Sequence, residues 1–144
     1  MRIRRFNESD YTNLFETISD PEVMKYIEPP YSAEKAKRFL AETGLCEEPL
    51  IYAAETDNGQ YVGYVIYHGY DAQSIEIGWI LKRSEWGKGY AKELTGLMIA
   101  KAKKAGKSVI IECSPKQQIT KHIAESYGFE YRGEEGGVSI YKLQ

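Results

Sequence analysis

The sequence has few of the residues that build metal sites or disulfide frameworks. Only two cysteines and two histidines occur among its 144 residues, and neither Cys46 nor Cys113 belongs to a C-x-x-C pair. His68 and His122 are far apart and show no ligand-like spacing. We therefore expect reduced thiols, as in the cytoplasm, and no metal site.

Long apolar runs are also missing. No stretch of 18 apolar residues is present, so no membrane span is expected. The N-terminal MRIRRFNESD lacks the apolar segment that a secretory signal requires, and no repeat or low-complexity tract follows it. With 144 residues, 42% hydrophobic and 28% charged, the chain is predicted to form a single globular domain over residues 1–144.

The net charge of −2 is unevenly distributed. Residues 82–107 contain eight basic and two acidic side chains, so this segment carries +6 and the rest of the chain carries −8. Such a basic segment suits an anionic ligand, although a solvated lysine-rich helix face would have the same composition. Because the basic residues are confined to one loop and helix, and the pI is about 5.8, binding to nucleic acid is not expected.

Hydrophobic periodicity predicts a mixed α/β domain with an antiparallel front half. The predicted strands are 2–6, 50–56, 60–68, 74–81, 108–113 and 137–143. Helices are predicted over 10–18, from Pro21 to the Pro29-Pro30 pair, and over 32–43, 89–105 and 117–127. The order is therefore β-ααα-β-β-β-α-β-α-β, with a hairpin turn at residues 57–59.

Two glycines, Gly87 and Gly89, lie between a predicted strand and the start of a long predicted helix. The first turn of a helix has free N–H groups at the positive end of the helix dipole, and these bind phosphate readily. Glycine lets a ligand approach the backbone, so we expect a phosphate to bind at this loop. Lys88, Lys92 or Arg83 would add positive charge. A purely structural turn is the simpler alternative.

Two other phosphate-binding motifs fit this loop less well. A P-loop would need glycine at position 82 and Ser or Thr at position 89, where the sequence has Lys82 and Gly89. A dinucleotide fingerprint could use Gly87-x-Gly89 with Glu112 at the end of the next strand, but Lys92 replaces its third glycine. Too little chain follows for the second half of a dinucleotide-binding fold.

The segment WGKGYA at residues 86–91 resembles the acyl-CoA pyrophosphate loop of the GNAT acetyltransferases, R/Q-x-x-G-x-G/A. Trp86 stands in place of the usual Gln or Arg, as in the ribosomal-protein N-acetyltransferase (RimJ/RimL-like) branch, where W-G-K-G-Y-A-x-E is a common spelling. RRFNESD near the start, SDPEVMKYI at 19–27, EIGWIL at 76–81 and ESYGF ending at Phe129 resemble the same branch. The predicted order of elements agrees with the GNAT fold.

This resemblance implies acetyl-CoA as the co-substrate, bound between two splayed parallel strands, 74–81 and 108–113. The pantetheine arm would pair with the backbone near Ile80 and Leu81, and Gln117 would hydrogen-bond the coenzyme in place of the family's frequent Asn. The pyrophosphate would contact the loop residues Trp86, Gly87, Lys88, Gly89, Tyr90 and Ala91. The acetyl group would pass directly to an amine in a ternary complex.

The candidate general base is Glu76. It lies opposite the apolar stripe of Ile75, Ile77 and Trp79 in its predicted strand, and it matches the E of the family's E-I-G-Y/W pattern. Removing the proton of a lysine-like amine near pH 7 costs about 4.6 kcal/mol, against about 1 kcal/mol for an α-amine. A base therefore helps a lysine or a polyamine far more than a protein N-terminus. A solvent-facing strand glutamate is the simpler interpretation.

The sequence marks the general acid less clearly. Ala124 occupies the position at which many family members carry a tyrosine, and Tyr127, one helical turn later, is the remaining candidate. The spacing of Tyr127 also suits the apolar face of the helix, and a water molecule could serve instead. Cys113 is not expected to act as a nucleophile because its strand has a buried pattern. His68 is expected to be a surface or structural residue, or to face the acceptor pocket.

Two functions remain open from the sequence. The first is an amine N-acetyltransferase, monomeric or homodimeric, whose acceptor is a protein N-terminus or a small amine. The second is a non-catalytic acyl-CoA-binding or sensing domain. This alternative is supported by Ala124, which stands where many family members carry a tyrosine. Release of thiol from acetyl-CoA in the presence of an amine distinguishes them. Glu28, Glu47 and Glu48 would suit a cationic acceptor or simply face solvent.

Overall fold

The structure, a computed structural model, describes all residues from Met1 to Gln144. Its strands are β1 (Arg2–Arg4), β2 (Ile51–Glu55), β3 (Tyr61–Asp71), β4 (Ser74–Leu81), β5 (Ser108–Cys113), β6 (Glu130–Glu135) and β7 (Val138–Leu143). Its helices are α1 (Tyr11–Ile18), α2 (Ala33–Phe39), α3 (Tyr90–Lys104) and α4 (Gln118–Ser126). Short 3₁₀ turns cover Glu8–Asp10 and Arg83–Glu85, and a π-helical turn, Leu40–Gly44, extends α2.

One seven-stranded sheet has the order β1-β2-β3-β4-β5-β7-β6. Every neighbouring pair is antiparallel except β4 and β5, which are parallel because α3 crosses between them. The prediction of a mixed sheet with an antiparallel front half is therefore confirmed. The predicted hairpin is confirmed too, with Gly59 at φ +83° in its turn.

The parallel strands β4 and β5 separate along their length. Their pairing is confined to the first residues, Ser74 with Ser108, Ile75 with Val109 and Glu76 with Ile110. Beyond Glu76 the two strands are no longer paired, although β4 continues to Leu81 and β5 to Cys113. The splayed central strands expected from the resemblance are therefore present, and they open the sheet in its middle.

Two hydrophobic clusters cover the two faces of the sheet. Successive side chains of β4 point to opposite faces, so this strand contributes residues to both clusters. Ile77 and Leu81 belong to the cluster under α3 and α4, whereas Ile80 belongs to the cluster under α1 and α2. The second cluster contains no residue of β5, β6 or β7. Helices α1 and α2 therefore cover only part of their face, which reaches β4 at Ile80. Glu76, nearer the start of β4, and Glu112 on β5 lie on the part that these helices leave open.

The middle one of the three helices predicted before β2 does not form. The segment 21–27 is a series of turns, held by the Met24 N–H donating to the Asp20 carbonyl (3.1 Å) and the Ile27 N–H donating to the Met24 carbonyl (3.0 Å). The Asp20 side chain also accepts from the Glu22 N–H (3.0 Å), a local bond that competes with regular helix.

A seventh strand, β6, was not predicted. Its sequence EYRGEE is almost wholly polar, and nearly all of its residues are exposed at the edge of the sheet. Hydrophobic alternation therefore could not reveal it. The turn Gly136-Gly137, at φ +58° and +85°, joins β6 to β7 as an antiparallel hairpin. The last predicted strand, 137–143, is confirmed as β7.

Candidate active site

The glycine loop directly precedes α3. Gly87 and Gly89 have φ of +76° and +82°, a region that favours glycine, and Gly89 is the N-cap residue of α3. A Cβ at either position would meet no atom within 4 Å. The glycines are therefore needed for the backbone conformation and leave the loop open to a ligand.

The backbone amides of residues 87–92 have no acceptor within the chain. The first intrahelical bond at this end is that of the Glu93 N–H to the Gly89 carbonyl (3.2 Å), and no side chain caps the helix. A row of unpaired N–H groups at the positive end of a 15-residue helix fits an anionic diphosphate. The residues present therefore fit the pyrophosphate of a coenzyme A.

Most of the basic side chains near the loop are paired with acidic partners. Lys88 Nζ lies 2.7 Å from Oε2 of the buried Glu85, which raises the pKa of Lys88. Arg83 makes two bonds, of 2.8 and 2.9 Å, to Asp20. Of the three residues expected to add charge, only Lys92 has no ion pair, so its ammonium group is free to add to the positive end of the helix.

Trp86 fixes the loop to the end of β4. Its indole Nε1 donates to the Leu81 carbonyl at 3.1 Å, while 47% of the residue stays exposed. The tryptophan thus has a hydrogen bond of its own at the position where the resemblance would expect Gln or Arg. It sets the direction in which the chain leaves the strand.

The β3–β4 register decides which backbone groups of β4 face the opening. The Lys82 N–H donates to the Val62 carbonyl (2.9 Å), so the even-numbered residues of β4 pair with β3. The N–H and C=O groups of Trp79 and Leu81 therefore point toward β5, where the strands have separated. The Ile80 groups point toward β3, away from the position that the sequence analysis assigned to them.

A cleft of about 200 Å³ lies between the splayed strands. Gly78, Trp79 and Ile80 line it from β4, and Glu112 and Cys113 from β5. Gln117 lines it as well, while its Oε1 accepts from the Ser114 N–H at 2.9 Å. The side-chain NH₂ group of Gln117 is therefore still available to a ligand.

A second, larger groove of about 510 Å³ borders the cleft. The turns at 21–30 form one wall, and Ser114 and Lys116 form the other. Tyr26 and Ile27 line both spaces. Glu28 lies in this groove, where it accepts from Tyr31 (2.9 Å) and Lys35 (3.1 Å).

Glu76 lies on the open part of the sheet face, half-buried. Its Oε1 is 3.6 Å from Nε2 of His68, the residue directly opposite on β3. Burial raises the pKa of Glu76 above its ordinary value; His68 opposes this shift when charged, and Glu112 adds to it. A carboxylate with such a raised proton affinity is suited to accept a proton.

Tyr127 lies on the other side of the sheet from Glu76. Its hydroxyl donates to the Lys92 carbonyl on α3 at 2.7 Å, and the ring packs against the cluster under α3 and α4. Gly96 makes room for it, since a Cβ there would lie 2.7 Å from the hydroxyl oxygen. The structure does not bring the two candidate catalytic residues together.

Replacing Tyr127 with phenylalanine is expected to lower stability by about 1 kcal/mol, because the Lys92 carbonyl loses its partner. Turnover is expected to stay within about threefold of wild type, since the hydroxyl is already engaged with the helix backbone. Urea denaturation and steady-state kinetics on the same preparation measure the two effects. A loss of kcat of about a hundredfold or more at unchanged stability would instead assign Tyr127 the role of general acid.

Several features of the site were not anticipated from the sequence. Trp79 was placed only in an apolar stripe, and the pairing of His68 with Glu76 was not foreseen. Tyr70 donates to Glu112 at 2.8 Å, which raises the pKa of Tyr70 to about 12. Cys113, whose thiol pKa is raised by burial, lines the cleft. A β-bulge between Gly69 and Asp71 shifts the register of the β3–β4 hairpin by one residue, so counting from its short turn would have placed His68 opposite Ile77 instead of Glu76.

None of the helices has the length and apolar character needed to cross a bilayer. No group of three or more histidine, cysteine or acidic side chains is arranged to hold a metal ion. The cysteines are both free, with Cys113 buried and Cys46 partly exposed.

Comparison with known proteins agrees with this geometry. The family described as "Acetyltransferase (GNAT) domain" matches residues 1–130. The uncharacterized N-acetyltransferase YnaD of Bacillus subtilis (strain 168) is 26% identical over 135 residues, which cover 91% of this chain and 79% of the relative.

Two solved structures illustrate the shared fold. A GNAT-family acetyltransferase from Bacillus anthracis superposes with a TM-score of 0.84 at 23% identity, covering 98% of this chain and 92% of that one. RimL, a ribosomal L7/L12 alpha-N-protein acetyltransferase solved with coenzyme A, gives 0.78 at 19% identity, with coverages of 98% and 92%.

Proposed function

The chain belongs to the GNAT acetyltransferase family, and from this premise we propose that residues 1–144 form a single cytoplasmic domain that acetylates a primary amine. The acetyl donor is acetyl-CoA, and the acceptor is a protein N-terminus or a small-molecule amine. The observation that carries the proposal is the row of unpaired amides at residues 87–92, placed at the end of a sheet that opens between β4 and β5.

The diphosphate of the donor would be held by the amides of Gly87 to Ala91, with Lys92 adding positive charge. The pantetheine arm would pair with the N–H and C=O groups of Trp79 and with the N–H of Leu81, whose carbonyl already accepts from Trp86. Gln117 would donate its free NH₂ group from the other wall of the cleft. Trp86, Lys88 and Tyr90 support the loop in this proposal, and Ile80 contributes through its place in the wall. When bound, acetyl-CoA supplies an activated thioester acyl group.

Glu76 is the proposed general base. An amine attacks only as the neutral form, which is roughly one molecule in 2,500 for a lysine-like amine near pH 7. Glu76 lies beside the opening of the sheet, and its raised pKa moves its proton affinity toward that of the amine. It would accept the amine proton as the bond to the acyl carbon forms.

No protein side chain is assigned as an essential acid. Water can protonate the departing thiolate, because a thiol with a pKa of about 8.5 leaves far more readily than an alkoxide. Tyr127 is instead proposed to hold α4 against α3 through its bond to the Lys92 carbonyl.

Acetyl-CoA is expected to stabilise the protein against heat. Ligand at about 100 times its dissociation constant adds roughly 2.7 kcal/mol, which for a domain of this size raises Tm by roughly 5–15 °C. The measurement is a thermal-shift assay with acetyl-CoA, and with NADH as the negative control. A shift with NADH alone, or with neither compound, contradicts the proposed coenzyme site.

Two substitutions test where the coenzyme binds. Gly89 and Gly106 lie at opposite ends of α3, have φ of +82° and +73°, and have open space at Cβ. Gly89→Asp places a carboxylate beside the diphosphate site and is expected to raise the Kd for acetyl-CoA at least about tenfold. Gly106→Asp carries the same backbone strain and the same charge and should keep the wild-type Kd. Equal affinities in the two variants would place the coenzyme elsewhere.

A further inference from the structure

His68 and Glu76 form a cross-strand pair beside the opening of the sheet. The register of β3 and β4 places them directly opposite each other, with His68 Nε2 3.6 Å from Glu76 Oε1. The other ring nitrogen, Nδ1, lies 3.0 Å from the carbonyl oxygen of Gly69. Each ring nitrogen of His68 therefore faces an oxygen atom of the protein.

The contact with Gly69 fixes the tautomer of His68. A carbonyl oxygen can only accept a hydrogen bond, so Nδ1 must carry a proton and donate it. In the neutral ring Nε2 is then a bare lone pair that faces the Glu76 carboxylate. Two acceptors facing each other are unfavourable, and one proton on Nε2 turns the contact into an ion pair of imidazolium and carboxylate.

The remaining charged and titratable groups around the pair come from β3, β5, β6 and β7; those of β6 are Glu130, opposite Lys142, and Glu135, whose charge acts on Tyr70. Tyr70 follows on β3, Glu112 faces the pair from β5, and Lys142 lies on β7 beside Ile110, the residue that pairs with Glu76. Glu112 is bonded to the Tyr70 hydroxyl. A second carboxylate near Glu76 further favours a proton on the pair.

We propose that His68 is a positioning residue that takes up, on Nε2, the proton that Glu76 removes from the acceptor amine. This role rests on the proposed function of Glu76 as base. The amine N–H bond breaks as an O–H bond forms on Glu76. That O–H bond then breaks as an N–H bond forms on Nε2, which restores the carboxylate. The imidazolium, partly exposed, returns the proton to water.

The pair can be tested in the free protein by NMR, without an acceptor. The chain has only two histidines, and the exposed His122 serves as an internal reference. ¹⁵N ring shifts at alkaline pH are expected to show His68 protonated at Nδ1. Protonation at Nε2 instead would overturn the proposal, and this measurement needs no substitution.

The second measurement follows the ¹³C signal of the Glu76 carboxyl during a pH titration. His68→Gln removes the imidazolium that lowers the pKa of Glu76, so this pKa is expected to rise. His122→Gln is the matched control and should leave the Glu76 titration unchanged. An unchanged titration in His68→Gln would refute the coupling. Neither readout depends on acetyl transfer, so a failure of the proposed function would be seen separately as absent turnover.

Discussion

Replacing Glu76 with glutamine is expected to lower kcat/KM for a lysine-like amine by about 10²–10⁴-fold. Glutamine keeps the shape of the side chain but cannot accept the amine proton. The loss should be smaller for an acceptor with an α-amino group, because a larger fraction of that amine is already neutral near pH 7. Binding of acetyl-CoA should be unchanged, since Glu76 does not line the cleft between the strands.

The assay for this prediction is release of thiol from acetyl-CoA with a panel of lysine-like amines and peptides with free N-termini. Glu134→Gln is the matched control, a strand glutamate exposed on β6, and should keep wild-type kinetics. Equal rates for Glu76→Gln and wild type with every active amine would rule out Glu76 as the base. If the wild-type protein binds acetyl-CoA but releases no thiol with any amine, the chain is an acyl-CoA-binding domain instead.

The raised pKa of Glu76 gives this base a definite pH dependence. A base works only when it is ionised, so activity should fall as the pH drops through the pKa of Glu76. That pKa is higher than that of an ordinary glutamate. The acid limb of the rate profile should therefore lie at higher pH than an ordinary glutamate would give, and it should be absent in Glu76→Gln.

Local sequence patterns were sufficient to predict where the candidate residues lie on β4 and at the start of α3. The alternation of β4 separates Ile77 from Glu76, and the two glycines mark the start of α3, because both signals lie within a few neighbouring residues. The strand β6 was missed because its polar residues lie at an exposed edge, where no hydrophobic alternation is needed. The prediction of a middle helix before β2 was wrong, because a proline that can begin a helix does not guarantee that the helix continues.

Features that depend on distant residues could not be predicted in this way. Arg83 is neutralised by Asp20, 63 positions earlier in the chain, so its charge could not be assigned to a phosphate or excluded from one. The choice between Ile80 and Leu81 as a backbone partner depends on the pairing of β4 with β3, and hydrophobicity carries no information about it. Hydrogen-bond direction alternates along a strand independently of side-chain type.

The same pairing leads to the largest expected effect on stability. A Cβ on Gly63 in β3 would lie 2.7 Å from the Leu81 Cα and closer still to the Ile80 carbonyl oxygen. Both are backbone atoms, so no side chain can move aside to relieve the overlap. Gly63→Ala is therefore expected to cost about 2–4 kcal/mol and to lower Tm by roughly 5–15 °C. Thermal and urea denaturation measure it.

Gly69→Ala in the same strand is the matched control, because a Cβ there would meet no atom within 4 Å. Its free energy of unfolding should change by less than about 1 kcal/mol. Gly63 lies opposite Leu81, the residue of β4 that would pair with the coenzyme. A shift of Leu81 would disturb this pairing, so any Gly63→Ala protein that folds should also bind acetyl-CoA more weakly. Gly63→Ala with wild-type stability would mean that β3 and β4 do not approach this closely. The direction assigned to the Leu81 backbone groups would then lose its support.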